Sequence, residues 1–248
     1  MKKLIICTIL FFLCASPASY GQSKEYPVGP FDKVIVSPYI QVIFKKGEKT
    51  SVVLENITVS QNKLFVEVSN NTLHLYLEGA KTIPKNEKVK HGNTKTKSPI
   101  YNNTTAKMTV TYQDLRALSL RGEEKFIFED PLAAVEFKLS LYGEIELDIP
   151  KVTFDRLDMD LYGENELEIK TGKINDNKIT SYGENEIEMI GVESDHANIT
   201  SYGDAEIALF VNKEIKLTAY GETHIDFKGQ ALIKKGIVIG ETTVKQIN

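Results

Sequence analysis

Tyrosines and carboxylates recur in this chain at a fixed interval, and they are the side chains best placed to do chemistry. Tyr142 is followed by Glu144 and Glu146, Tyr162 by Glu164 and Glu166, Tyr182 by Glu184 and Glu186, Tyr202 by Asp204 and Glu206, and Tyr220 by Glu222 and His224. Asp148, Glu168, Glu188 and Asp226 extend three of the copies and the last. Residues 142–227 hold 20 acidic side chains against 7 basic ones. Such rows suit divalent cations, or cationic and sugar-rich polymers met by aromatic and acidic groups together. The plainer reading is a solvated outer face that keeps a long sheet soluble and free of lateral aggregation.

Catalysis finds less support. Glycoside chemistry uses one pair of carboxylates astride one bond, whereas these recur in every copy. His74, His91, His196 and His224 show no metal-protease spacing, and neither a nucleophile elbow nor a phosphate loop is present. Cys7 and Cys14 lie within the first fourteen residues, so the rest of the chain has no thiol for a nucleophile, a zinc site or a disulfide. A net charge of -4 over 248 residues argues against nucleic acid as a partner.

The elements that would position these residues follow from the repeat. Tyr142-Gly-Glu-Ile-Glu-Leu-Asp-Ile149 and Tyr162-Gly-Glu-Asn-Glu-Leu-Glu-Ile169 are succeeded by Tyr182-Gly-Glu-Asn-Glu-Ile-Glu-Met189, Tyr202-Gly-Asp-Ala-Glu-Ile-Ala-Leu209 and Tyr220-Gly-Glu-Thr-His-Ile-Asp-Phe227. Degenerate copies flank them at residues 121–128 and 239–244, which places glycines at 122, 143, 163, 183, 203, 221 and 240. Within each copy apolar residues alternate, as in Phe137, Leu139 and Leu141, then Ile145, Leu147 and Ile149. Period two means strands with one buried face. Twenty residues cannot hold a strand, a crossover helix and a return strand, which need about 30. The copies must stack directly, so the expected fold is an all-β, single-stranded parallel β-helix of about seven coils of about 20 residues.

Stacking turns alignment columns into ladders. Leu139, Met159, Ile179, Ile199 and Leu217 should be core, as should the columns headed by Leu147 and Ile149. The column Leu141, Leu161, Ser181, Ser201, Ala219 shrinks along the axis, and Asn165 with Asn185 should form a short amide ladder beside the glycine corner.

The remainder is less regular. Apolar runs at residues 31–36, 40–45, 51–55, 63–68 and 73–77 read as strands of an irregular N-terminal β subdomain and cap occupying 22–77. Residues 78–105, with Lys81, Lys85, Lys88, Lys90, Lys95 and Lys97, read as a basic polar loop before the solenoid at 106–248. Lys2 and Lys3, the apolar residues 4–13 and Ser19-Tyr20-Gly21 form a secretory signal peptide over 1–21. Its apolar core is too short to span a bilayer.

The leader, the opening Phe31-Asp32-Lys33 and the repeated Gly-Glu-Asn-Glu blocks resemble the GIN domain of auto-transporter adhesin heads, common in Bacteroidetes. That resemblance implies a β-helix exported to the periplasm, the outer-membrane surface or the medium, with an adhesin-like role and no catalytic residues to carry over. Because the chain stops within its last coil, no C-terminal membrane barrel for self-translocation is expected. The expectation is a non-enzymatic binding module for an envelope or extracellular polysaccharide or protein. The basic segment reads first as a solvated surface insertion, with contact to an anionic envelope polymer or to another copy's acidic stripe, and so a homo-oligomer, as the sharper alternative. Its cofactor is none, with a divalent cation allowed at the stripe. A polysaccharide lyase or glycosidase and a purely structural envelope protein are the competing readings.

Overall fold

The computed structural model describes residues 23–82, 86–91 and 94–248, with the side chains of 86–91 and 94–98 excepted. The expected signal peptide lies outside the described residues. The strands, in chain order, are β1 (Lys24–Tyr26), β2 (Lys33–Val36), β3 (Ile40–Lys46), β4 (Ser51–Ile57), β5 (Leu64–Ser69), β6 (Thr72–Leu77), β7 (Asn86–His91), β8 (Thr94–Pro99) and β9 (Ala106–Tyr112). They continue as β10 (Ala117–Gly122), β11 (Lys125–Phe128), β12 (Leu132–Gly143), β13 (Glu146–Ile149), β14 (Val152–Ile169), β15 (Gly172–Tyr220), β16 (Thr223–Lys228), β17 (Leu232–Ile239) and β18 (Thr242–Gln246).

From β10 onward every pairing is parallel and the register follows the repeat. Leu139 lies opposite Met159 and Met159 opposite Ile179, while Gly143, Gly163 and Gly183 lie in one file. The columns expected to be core are buried, including the shrinking one. The solenoid has about six turns, slightly fewer than the seven coils expected. Seven corner glycines bound six intervals, and the first copy lacks the leg that Leu132–Phe137 supplies in the next.

The corner glycines explain why the repeat keeps its spacing. Gly143, Gly163, Gly183, Gly203 and Gly221 have φ between 101° and 130°, a region that side-chain-bearing residues avoid. A Cβ on Gly163 would also collide with the carbonyl oxygen of Gly143 one turn away. Backbone therefore stacks on backbone at this corner, and the residues on either side, Tyr and Glu, are held in register.

The N-terminal strands are continuous with the solenoid. β2 pairs parallel with β10 and β6 with β2, while β3 pairs parallel with both β11 and β9. These form two further turns, β2 with β3 and β6 with β9, and their apolar residues join the one core. Antiparallel β4, β5 and β1 then close this end. Segment 78–105, expected as a loop, instead contains an antiparallel hairpin of β7 and β8. In the sequence Gly92-Asn93 is a two-residue hairpin signal that lysines at nearly every second position obscure. The segment links β6 to β9, so it occupies the position that a Tyr-Gly-Glu corner holds in the regular turns. Among the described residues no helix is long and apolar enough to cross a membrane.

Candidate functional site

The five expected tyrosines form one continuous stack. Ring centroids of Tyr142, Tyr162, Tyr182, Tyr202 and Tyr220 are separated by 5.2, 4.9, 4.6 and 4.9 Å, with planes within 4° of parallel. Arg121, one register position before Tyr142, lays its guanidinium 5.5 Å from that ring and covers the end of the stack. The rings cover one another's faces, so solvent meets phenol edges and hydroxyls. A sugar therefore finds hydrogen-bonding edges along this row and no open aromatic platform. Partial burial and the Asp160 carboxylate together raise the Tyr162 phenol above its ordinary pKa.

Beside the stack the carboxylates run in the expected files. Glu164, Glu184 and Asp204 are exposed, as are Glu166, Glu186, Glu206 and Glu222. Lys125 precedes Glu146 in its file and pairs with both Glu146 and Asp148. Among the described residues no other carboxylate of the Tyr-Gly-Glu-x-Glu stripe has an ion pair. Elsewhere on the solenoid charges are paired between turns: Lys138 with Asp160 at 3.3 Å, Lys178 with Asp158 at 3.2 Å and Lys213 with Asp195 at 2.9 Å. Like charges opposite one another in a sheet are destabilising, so the stripe keeps a repulsion that the lysine-paired carboxylates elsewhere are relieved of. Among the described residues no three His, Cys, Asp or Glu side chains converge as a metal-ligand set.

The corner is grooved. A cleft of about 500 Å³ follows Glu164, Asn165 and Glu166 through Glu184, Glu186, Asp204 and Glu206 to Glu222 and His224. Its floor is the expected amide ladder. Asn165 Nδ2 donates to Asn185 Oδ1 at 2.8 Å, and Asn185 Nδ2 donates to Ser181 Oγ at 2.9 Å. The backbone N–H groups of Ile145 and Asn165 donate to the Asn165 and Asn185 Oδ1 atoms. Ser181 is small because an amide must reach its hydroxyl, which accounts for one step of the shrinking column.

Beyond Glu164 the groove opens into a larger cavity of about 770 Å³ near Tyr39, Arg121, Glu124, Tyr142 and Glu144. The sequence reading missed Glu124. It falls two residues after Gly122, in the inward column that continues as Ile145, Asn165 and Asn185, and it is 5 % exposed. Burial pushes its carboxyl up to about 7, against backbone N–H donors of Glu123 and Tyr39 that favour the ionised form. An acidic residue in an inward column was the signal that could have revealed it.

A second polar cluster near the cap resembles a catalytic dyad. Ser37 Oγ lies 3.0 Å from His74 Nε2. That hydroxyl donates to the Lys81 carbonyl at 2.7 Å and is fully buried. His74 must therefore donate to it, which leaves no base for the serine and no access for a substrate. The pair pins β6 to the corner after β2.

The family of proteins described as putative auto-transporter adhesin, head GIN domain, matches residues 30–231. The chain belongs to that family. The GIN chain also shares its fold with solved structures of low identity. A putative adhesin from Bacteroides fragilis NCTC 9343 superposes with TM-score 0.70 at 20 % identity, covering 91 % of this chain and 96 % of that one. A putative adhesin from Parabacteroides merdae ATCC 43184 gives 0.64 at 16 %, covering 92 % and 96 %. A putative lipid binding protein from Parabacteroides distasonis ATCC 8503 gives 0.58 at 18 %, again covering 92 % and 96 %. No curated protein matches. At these identities the likeness is one of fold.

Proposed function

We propose that this GIN-domain chain is an exported, non-enzymatic, adhesin-like module that holds an envelope or extracellular polymer along its tyrosine and carboxylate corner. The carrying observation is the contrast in charge pairing. On other faces Asp158, Asp160, Asp195 and Glu214 pair with lysines one turn away, while Glu164, Glu166, Glu184, Glu186, Asp204, Glu206 and Glu222 carry no ion pair among the described residues. A row that costs stability and is repeated turn after turn is suited to a repeating partner, since each turn adds one more weak contact in the same geometry.

The partner would bring cationic or hydrogen-bond-donating groups, with the phenol edges supplying hydroxyls beside each carboxylate. Family membership supports the adhesin-like role, and the closed Ser37–His74 pair supports the non-enzymatic one. The leader at residues 1–21 supports export, and a mature N-terminus at Gln22 in an envelope or culture fraction would test it. Binding is tested by glycan and envelope-extract arrays, comparing the wild type with a Glu184→Gln/Glu186→Gln/Glu206→Gln variant. Retained partners that the variant loses are the expected result. Identical profiles would sink the stripe and favour a purely structural role.

A further inference from the structure

We infer that the cavity bounded by Tyr39, Arg121, Glu124 and Tyr142 is a binding pocket for a primary ammonium group, of the kind carried by a lysine side chain or an amino sugar. Its position comes from an interruption of the repeat. The Tyr-Gly-Glu corners stop at Arg121 and Gly122, and the next turn supplies Pro38 and Tyr39, with Tyr39 at φ 72°. Thr82, Asn103 and Thr104, near the two ends of the segment between β6 and β9, also line the groove, which widens here to about 770 Å³.

Among the described residues the lining holds four carboxylates, Glu123, Glu124, Glu144 and Glu164, against a single cation, Arg121. Glu124, nine-tenths buried and more, lines the cavity and meets only backbone donors: its Oε2 accepts the Glu123 N–H at 3.0 Å, and its carboxylate also accepts the Tyr39 N–H. Glu123, Glu144 and Glu164 lie around it without an ion pair among the described residues. Arg121 is laid on the Tyr142 ring. Burying a carboxylate without a cation is unfavourable, and an incoming ammonium would relieve it. The Tyr39 ring, packed edge-on against Tyr101 at 5.5 Å, gives the alkyl stem or sugar ring an apolar wall. An anionic ligand is excluded by the same carboxylates.

An ammonium binds the ionised form of Glu124, so a proton leaves when it binds to the protonated form. The charged and titratable groups facing Glu124 are Glu123 beside it, Arg121 on β10, Tyr39 after β2, and Glu144 and Glu164 from the next two turns. For a lysine ammonium, which stays charged throughout, affinity should therefore rise from pH 6 to 8 and flatten above, with a slope of at most tenfold per pH unit.

This pocket lies on the corner already read as a binding face, and it deepens that reading without depending on the stripe variant. The full mature chain is titrated with pentalysine and with a glucosamine pentamer, each beside its N-acetylated form, by calorimetry and amide NMR. Binding of either amine, absent for its acetylated form, with shifts at the Tyr39 and Glu123 amides and at least tenfold weakening in Glu124→Gln, is expected. Pentalysine alone binding assigns a protein lysine, and the glucosamine oligomer alone assigns a glycan. No binding, equal binding of acetylated forms, or binding that leaves those two amides unmoved would overturn the pocket. The amide shifts need only the wild type, so the inference stays testable if Glu124→Gln fails to fold. Weakening by Glu184→Gln/Glu186→Gln/Glu206→Gln with no effect of Glu124→Gln would leave the stripe standing and remove the pocket.

Discussion

At the scale of single residues, Glu124 is held against its own solvation. Its carboxyl titrates near 7 in the folded chain and near 4.5 when unfolded, so the folded state binds the extra proton between those values. Stability from this group is greatest below pH 4.5, falls as pH rises, and is fully lost above 7. The difference corresponds to about 3 kcal/mol. Glu124→Gln should therefore raise the melting temperature at pH 8 and change it little at pH 4.5. Equal effects at both values would show that Glu124 is not the titrating group. The tyrosine and glutamate files were legible because a 20-residue interval carries each residue onto its neighbour. Glu124 was harder to see, since its copy departs from the repeat and only its alignment with Ile145 marks it as inward, a position that the register of β11 with β13, where Lys125 meets Glu146, bears out.

Among the elements, the corner is where sequence regularity and backbone geometry coincide, and two substitutions separate its contributions. Gly163→Ala places a Cβ against the Gly143 carbonyl at φ 113°. It should cost about 2–4 kcal/mol in chemical denaturation, with the parallel files on both sides disturbed. Asn165→Ala keeps the backbone and removes the amide, leaving the Ile145 N–H and the Asn185 Oδ1 with a lost partner each. A loss of about 1–3 kcal/mol, with faster hydrogen exchange at the Ile145 amide, is expected. Unchanged exchange would show that the ladder is dispensable. The amide ladder was readable from two asparagines twenty residues apart. The two N-terminal turns were not readable as turns, because β2 and β6 run into Ser37-Pro38-Tyr39 and the inserted hairpin where later copies have Tyr-Gly-Glu. Tyr39 takes the positive φ that glycine takes elsewhere, so the corner is present without its sequence mark.

For the whole molecule, the distribution of charge matters more than its sum. A net charge of -4 conceals a solenoid flank on which carboxylates repeat one turn apart with few cations between them. Neighbouring strands lie about 4.8 Å apart, well inside the Debye length of about 30 Å at 0.01 M salt and near that of about 3 Å at 1 M. The stripe therefore repels itself strongly at low ionic strength, and added salt should stabilise the chain. Raising sodium chloride from 0.01 to 0.5 M is expected to raise the melting temperature of the wild type and to move the Glu184→Gln/Glu186→Gln/Glu206→Gln variant much less. The variant should start higher, because its repulsion is already reduced. Calcium separates screening from coordination in the same experiment. At matched ionic strength, calcium and sodium should give the same melting temperature if the stripe is only a repulsive surface awaiting a polymer. A rise specific to calcium, lost in the triple variant, would show that the carboxylates move together around an ion and would make a divalent cation part of how this face meets its partner.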